Sequence, residues 1–386
     1  MAEFDIAIPS VRAGGTSATA TGKSLSVVAL RKTYGDVVAV DEASMEIAAG
    51  EFVTFLGSSG SGKTTTLMMI AGFCEPDSGT ITVGDRDVTR LAPQKRGLGF
   101  VFQQYLLFPH MTVRENVAFP LTLRGAPKDE IRRRVGETLE IAGLSGFGGR
   151  KPRELSGGQQ QRVALCRALV YRPPVILMDE PLGALDKKLR DQLQVEIKTI
   201  QQELGLTVIY VTHDQEEALV MSDRIAVMRN GLIEQFDTPR ELFERPRTPF
   251  VADFLGAANF LPGRVVRSTD EHTVVRLTAS GGLITARRHD LASGTQVKVA
   301  VQPGRLRACA ADDGFCTGTV ETATYVGTLV RAGVRIDGGD APLLRLEVPA
   351  GRGPVAGERV GITADPDDVN LFADEDVNHF ADEQDG

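Results

Sequence analysis

The stretch Gly57-Ser58-Ser59-Gly60-Ser61-Gly62-Lys63-Thr64-Thr65 gathers three glycines, three serines, a lysine and two threonines in nine consecutive residues. Glycine has no Cβ, so successive backbone N–H groups can turn inward around phosphate oxygens. A helix opening at the end of the stretch would aim the positive end of its dipole at the same anion. Lys63 would neutralise β- and γ-phosphate charge, and the Thr64 hydroxyl can ligate Mg2+. The chemistry written here is the holding of a polyphosphate together with a divalent cation.

Such a loop needs carboxylates nearby. The run Val175-Ile176-Leu177-Met178-Asp179-Glu180 is apolar up to its last two residues. If it is a buried strand, Asp179 emerges at the C-terminal end, where ligands bind in parallel sheets. Asp179 would hold Mg2+, directly or through water, and Glu180 beside it could polarise an attacking water. An acidic pair at a helix start is the ordinary alternative. His213 ends a second apolar run, Thr207–Thr212. An imidazole placed there is a candidate contact for the γ-phosphate, although a lone histidine is usually structural. Gln103 follows Leu98-Gly99-Phe100-Val101-Phe102, and its neutral amide can reach a metal or a water without altering charge; a plain loop residue fits the pattern equally. A second polar turn, Leu155-Ser156-Gly157-Gly158-Gln159, passes straight into an apolar-periodic helix. It reads either as another anion-binding helix start or as an ordinary Ser/Gly cap.

These residues imply elements that position them. Residues from about Leu25 to Leu242 alternate short, continuous, β-branched-rich runs with helical patterns such as Lys187–Leu204. Runs of that kind suit strands buried on both faces, so the alternation predicts a parallel α/β sheet. The composition then changes. Glu244–Gly256 carries prolines at 246 and 249 and is expected to be a linker. Past Gly256 only one lysine remains, Lys298, and segments such as His272–Ala279, Gln296–Pro303 and Leu343–Pro349 alternate between Gly, Pro and Asp turns. They predict an all-β module, a small barrel.

The 386 residues allow two or three domains, and 42% apolar with 24% charged residues is a soluble globular composition. No apolar run approaches the roughly 18 residues of a membrane helix. Residues 1–24, rich in Ala, Gly, Ser and Thr, lack the basic start and apolar stretch of a secretion signal and are expected to be a disordered leader. Cys74, Cys166, Cys309 and Cys316 form no CxxC pair and are expected to be reduced thiols of a cytosolic chain. The net charge of −8 is concentrated: Asp365–Gly386 holds nine acidic residues and no Lys or Arg. The remainder is near neutral and has no basic block, which argues against a nucleic-acid partner.

Together these stretches resemble the ATP-binding subunits of ABC transporters, over roughly Leu25 to Leu242 and in the family's order. The resemblance implies a P-loop NTPase domain over 25–245 with a helical subdomain at about 104–160. A linker and an OB-like, TOBE-type β-module would follow over 246–372, and an acidic tail over 373–386. It implies ATP and Mg2+ as cofactors. Tyr34, in Thr33-Tyr34-Gly35-Asp36, stands where an aromatic stacks on adenine. Gly57–Thr65 is the Walker A loop, with Gly57, Ser58, Ser59, Gly60, Ser61, Gly62, Lys63, Thr64 and Thr65 on the nucleotide. Gln103 falls at the Q-loop and, with Thr64 and Asp179, at the metal. Ser156, Gly157, Gly158 and Gln159 belong to the signature, Asp186 to the D-loop. Glu180 is the expected catalytic carboxylate and His213 the switch histidine.

In that family two such subunits pack head to tail, the signature of one copy covering the Walker A loop of the other. The resemblance therefore implies a homodimer beneath two membrane permease subunits, peripheral at the cytoplasmic face of the cell membrane. A periplasmic or extracellular solute-binding protein would be served indirectly. The stretch from Tyr105, which includes Leu107 and Phe108, resembles importers in which a short helix of the membrane subunit docks here; these residues could instead be core. Gly256–Val265 and Tyr325–Ile336 are most like importers of spermidine and putrescine, with ferric iron, sugar, sulfate and phosphonate importers as alternatives. Gln302-Pro303-Gly304 departs from the Arg-Pro-Glu usual in relatives. Soluble ABC proteins of DNA repair or translation normally carry a coiled-coil insertion or two cassettes, and a binding-only subunit would lack some of Lys63, Asp179, Glu180 and His213. Neither matches this chain.

Overall fold

The computed structural model describes residues 22–183, 185–338, 343–351 and 353–373. The acidic tail from residue 374 and most of the expected leader lie outside them. Gly22 and Lys23, counted with the leader, are held: their N–H groups donate to Gly205 O at 2.9 Å and Pro174 O at 3.1 Å. The chain divides into two compact units, one of residues 1–54 and 62–213, the other of 55–61 and 214–386.

In the first unit, apart from the last two residues of β3, the chain runs β1 (Leu25–Tyr34), β2 (Val37–Ile47), β3 (Phe52–Leu56), α1 (Lys63–Ala71), β4 (Ser78–Val83), β5 (Arg86–Asp87), α2 (Pro93–Arg96) and β6 (Gly99–Val101). Then come α3 (Val113–Leu123), α4 (Lys128–Ile141), α5 (Gly157–Leu169), β7 (Val175–Asp179), α6 (Lys187–Leu204) and β8 (Thr207–Thr212). The parallel prediction holds for β6, β7 and β8, which pair in parallel in that order. Every residue of β7 and β8 is buried, as a strand covered on both faces must be. The start of β3 lies beside β8, with Val208 N donating to Glu51 O at 2.9 Å and the Phe52 and Tyr210 rings 5.8 Å apart.

The prediction fails for the first strands. β2, β1, β4 and β5 form a separate antiparallel sheet in that order. The β1–β2 register shifts three times, first between Val27 and Leu30, where Ala29 has φ +47°. Bulges of this kind erase the strict alternation by which an antiparallel strand is recognised in sequence.

Helices α3, α4 and α5 share their own core of Val113, Val117, Leu121, Val135, Leu139 and Val163, among others. The first of them starts at a complete capping box: Glu115 N donates to Thr112 Oγ1, and Thr112 N to the Glu115 carboxylate at 2.7 Å. Buried Asn116 pins the preceding loop, accepting from Phe108 N at 2.8 Å and donating to the carbonyls of Phe108, Met111 and Thr112.

In the second unit, α7 (Gln215–Met221) is capped by the Asp214 carboxylate, and β9 (Arg224–Arg229) turns into β10 (Leu232–Asp237). α8 (Pro239–Glu244) and α9 (Pro249–Gly256) follow. The expected linker is thus largely helix. Pro249 occupies the first helical position behind a Thr248 cap, where its missing N–H is no loss.

The remaining strands are β11 (Asn259–Ser268), β12 (His272–Leu277), β13 (Leu283–Arg287), β14 (Gln296–Val301), β15 (Leu306–Cys309), β16 (Cys316–Val326), β17 (Leu329–Ile336), β18 (Leu343–Pro349), β19 (Arg359–Ala364) and β20 (Asn370–Ala373). The expected small barrel takes the form of two antiparallel five-stranded sheets, β13-β12-β11-β14-β20 and β15-β19-β16-β17-β18. One core joins them, with Val275, Val299, Val334 and Ile362 fully buried. Buried Asn259 also links the sheets, donating to Arg345 O at 2.9 Å and accepting from Arg345 N at 2.8 Å.

Candidate functional site

The phosphate-loop residues are placed by backbone geometry. Gly62, the residue before α1, has φ +97°, a conformation that disfavours any side chain. It lets the chain turn directly into the helix, so that Lys63 and Thr64 occupy the first turn, where N–H groups lack intrahelical partners. Thr65 is half-buried beside them. Gly57–Ser61 belong to the second unit: Ser58 and Ser59 are exposed, Gly60 has φ +82°, and buried Ser61 accepts from Gly231 N at 3.2 Å.

Within the first unit, six of the expected residues converge. Thr64 Oγ1 donates to Asp179 Oδ1 at 3.2 Å. Burial pushes the Asp179 carboxyl above its ordinary range, opposed by the Thr64 hydroxyl, reinforced by Glu180 and opposed again by Lys63. Burial likewise lowers the Lys63 ammonium, against the pull of Glu180 and Asp179. A cation against Asp179 and an anion against Lys63 would offset both shifts. Hydroxyl and carboxylate oxygens are the donors Mg2+ takes. The residues present therefore fit a magnesium–polyphosphate pair.

Glu180 is not at a helix start. It follows β7 directly, with φ +42°, its N–H donating to Val211 O at 3.0 Å. A non-glycine residue in the left-handed region is strained and must be held by its surroundings. Here the side chain is held as well. Glu180 Oε2 accepts from Gln103 Nε2 at 3.2 Å, and Oε1 lies 3.3 Å from His213 Nδ1. Gln103 donates through its nitrogen, which leaves its amide oxygen to face a cation or water. A carboxylate fixed between an amide and an imidazole, near Lys63 at the start of α1, can orient a water for attack.

The other expected residues stand elsewhere. Ser156 caps α5, accepting from Gln159 N at 3.4 Å, while Gln159 Oε1 accepts from Ser156 N at 3.0 Å. Gly157 is exposed; Gly158 is buried, and a Cβ there would sit 2.9 Å from Leu189 Cδ2. Asp186 caps α6, accepting from Leu189 N at 3.0 Å. Tyr34, at the end of β1, is 53% exposed, its hydroxyl 3.2 Å from Cys74 Sγ. All four cysteines are free thiols, and no cluster of three or more His, Cys, Asp or Glu suited to a metal occurs among the described residues.

Residues 40–183 match the family model described as ABC transporter, and residues 299–372 match that of the TOBE domain. The spermidine/putrescine import ATP-binding protein PotA of Rubrobacter xylanophilus is 51% identical over 313 residues, which span 80% of this chain and 82% of that protein. This chain belongs to the ABC transporter family. The PotA protein of Acidothermus cellulolyticus is 50% identical, over 76% of this chain and 78% of its own. The Fe(3+) ions import ATP-binding protein FbpC of Rhizobium etli is 46% identical over 80% of this chain and 87% of its own. Among solved structures, a dimeric ATP-binding cassette described as a post-hydrolysis state bound to ADP and Pi is 38% identical, with a TM-score of 0.51. It covers 56% of this chain and 99% of its own. A component of the cbiONQ complex from Clostridium perfringens is 31% identical with a TM-score of 0.54, covering 57% of this chain and 90% of its own.

Two features of this ABC chain were not legible beforehand. The first is Arg96, only 5% exposed, whose guanidinium donates to Met69 O and Ile70 O at 2.7 Å, Leu91 O at 2.8 Å and Thr89 O at 2.9 Å. A cation on the last carbonyls of α1 suits the negative end of that helix. Nothing in Pro93-Gln94-Lys95-Arg96 marks it in sequence. The second is an open groove of about 440 Å3 lined by Phe102, Leu106, Phe108, Phe119, Leu123 and Tyr171, among others. Of the residues left between docking and core, Phe108 lines this groove and Leu107 packs on the helical core. Tyr105 is half-buried, its carbonyl accepting from Arg167.

Proposed function

We propose that the chain hydrolyses ATP as the energy-coupling subunit of an ABC import system whose cargo is spermidine or putrescine. Lys63 and the Gly57–Thr65 backbone hold the phosphates. Thr64 and Asp179, with the Gln103 amide oxygen, hold Mg2+, which supplies charge neutralisation at the phosphates when bound. Glu180 orients the attacking water; Gln103 and His213 fix its carboxylate, and His213 reaches the γ-phosphate. Tyr34 stacks on the adenine. Residues 25–245 act as the ATP-binding domain and 246–372 as the β-rich appendage.

The observation that carries this reading is the clasp on Glu180, at the end of a buried parallel strand and beside the Thr64–Asp179 pair. The relatives named for spermidine and putrescine import support the cargo. The ADP-bound dimeric neighbour supports a head-to-tail pair in which Ser156–Gln159 and Asp186 of one copy meet the nucleotide of the other. One permease then docks in the apolar groove of each copy, at Phe102, Leu106 and Phe108, and the pair works at the cytoplasmic face of the membrane. Among the described residues no helix is long and apolar enough to cross a membrane.

Uptake of labelled putrescine by cells deleted for this chain, complemented with the wild type or Glu180→Gln, tests the reading. Restoration by the wild type alone is expected; equal restoration by both overturns the role of Glu180. The FbpC relative makes ferric iron the second candidate cargo, and labelled iron in the same cells decides between them.

A further inference from the structure

The aromatic platform at Tyr34 has a mount that sequence motifs do not reveal. Asp77 accepts from Thr33 N and Thr33 Oγ1, both at 2.7 Å, and from Lys32 Nζ at 2.9 Å. Its own N–H donates to Arg31 O at 2.9 Å. One short loop thus fixes the three residues that precede Tyr34. Lys32 Nζ donates as well to Glu75 O at 2.8 Å, and lies 5.6 Å from the centre of the Tyr34 ring. Cys74 Sγ meets the ring's far end, at the hydroxyl.

These contacts come from residues 74–77, the segment that leaves the C-terminal end of α1. That helix begins at Lys63 and Thr64. At 1.5 Å per residue its nine residues span about 13 Å. A single rigid element therefore carries phosphate-facing residues at one end and the mount of an exposed aromatic ring at the other.

We propose that Asp77 is a positioning residue for nucleotide recognition: through Lys32 and Thr33 it sets the Tyr34 ring where a purine base stacks, and so raises affinity for a nucleoside triphosphate over a bare triphosphate. The proposal rests on the reading of Tyr34 as the base-stacking residue. The ring is exposed on its own account, so without the mount it would sample many orientations, and each encounter with a base would have to order it.

The test uses the full chain in EDTA, where turnover stops, and compares equilibrium binding of ATP with that of inorganic tripolyphosphate. Tyr34→Ala is expected to weaken ATP about 5- to 150-fold, the range for loss of one base–aromatic stack, and to leave tripolyphosphate unchanged. Asp77→Ala is expected to weaken ATP about 2- to 12-fold, the range of one or a few hydrogen bonds, again without effect on tripolyphosphate. In the Tyr34→Ala background it should add nothing further. Asp77→Asn, which keeps an oxygen toward Thr33, should recover part of the loss and guards against a folding defect in the alanine variant. Equal weakening of both ligands by Asp77→Ala, or none of ATP where Tyr34→Ala does weaken it, overturns the role of Asp77. ATP binding unchanged in Tyr34→Ala overturns the stacking reading itself, and the proposal with it.

Discussion

Gln103 donates its side-chain amide to Glu180 across 77 residues of sequence, at 3.2 Å. The bond joins the segment after β6 to the carboxylate that follows β7, and it leaves the second carboxylate oxygen to His213. A side chain clasped from both sides delivers a water in one orientation, which is the main requirement on a general base. Glu180→Gln keeps the shape and removes the basicity. Phosphate release should fall by about 10²- to 10⁴-fold. Light scattering should show ATP-dependent dimers that persist rather than turn over.

In the proposed function, Thr64 and Asp179, hydrogen-bonded at 3.2 Å, offer neighbouring oxygens to a divalent cation. Thr64→Ala deletes one and frees the other from its hydrogen bond. The Mg2+ concentration for half-maximal turnover should rise about tenfold or more. A titration of phosphate release against Mg2+ reads the shift, and an unchanged midpoint would place the cation elsewhere.

A Cβ on Gly158 would meet Leu189 Cδ2 at 2.9 Å and Cδ1 at 3.0 Å, so the Leu189 side chain would have to shift. Gly158→Ala should cost about 1–3 kcal/mol in urea unfolding, the usual penalty of overpacking. Adding Leu189→Ala should recover much of it, since the clashing atoms are then gone. A loss of turnover that survives this repair belongs to the signature turn rather than to packing.

Asp77 responds to acid in a defined direction. The hydrogen bond from Lys32 first, and those from Thr33 next, hold its carboxyl down to about 2 from an ordinary 3.8. A group with a depressed folded-state pKa stabilises the fold above its unfolded pKa, and that contribution disappears as pH falls through the folded value. The difference in urea midpoint between wild type and Asp77→Asn should therefore be constant near neutrality and narrow from about pH 4 toward pH 2.

The thiols should separate into two classes. Burial pushes both Cys166 and Cys316 up to about 12, so neither offers thiolate near neutral pH. Cys74 and Cys309 are partly exposed. A thiol-reactive disulfide reagent should modify two sites in the native protein and all four in urea, with peptide mapping placing the early pair at Cys74 and Cys309.

Strands buried on both faces were the most legible part of the fold. Val175–Asp179 shows itself in sequence because water contributes nothing along its length, and Asp179 and Glu180 stand out as the polar end of an apolar run. The site residues on such strands were legible for the same reason. β1 was not, because the bulge at Ala29 moves residues between faces and breaks the period. Pro249 misled in the opposite way, since a proline that opens a helix has the same letter as one that ends a strand. Asp77, Cys74 and Arg96 act through contacts made by folding, and no spacing rule connects Asp77 to Thr33 or Arg96 to Met69. The positive φ of Glu180 is likewise a property of the turn after β7 and not of the residue type.

The reciprocal bonds between Ser156 and Gln159 close the start of α5 within a single chain. Its turn is therefore finished before any visitor comes near, and the Ser156 oxygen, already an acceptor, keeps its hydrogen to offer outward. Ordering takes place once, when the protein folds, and not at every meeting with another molecule. In the proposed head-to-tail pair, every encounter would then begin from the same surface, ready-made.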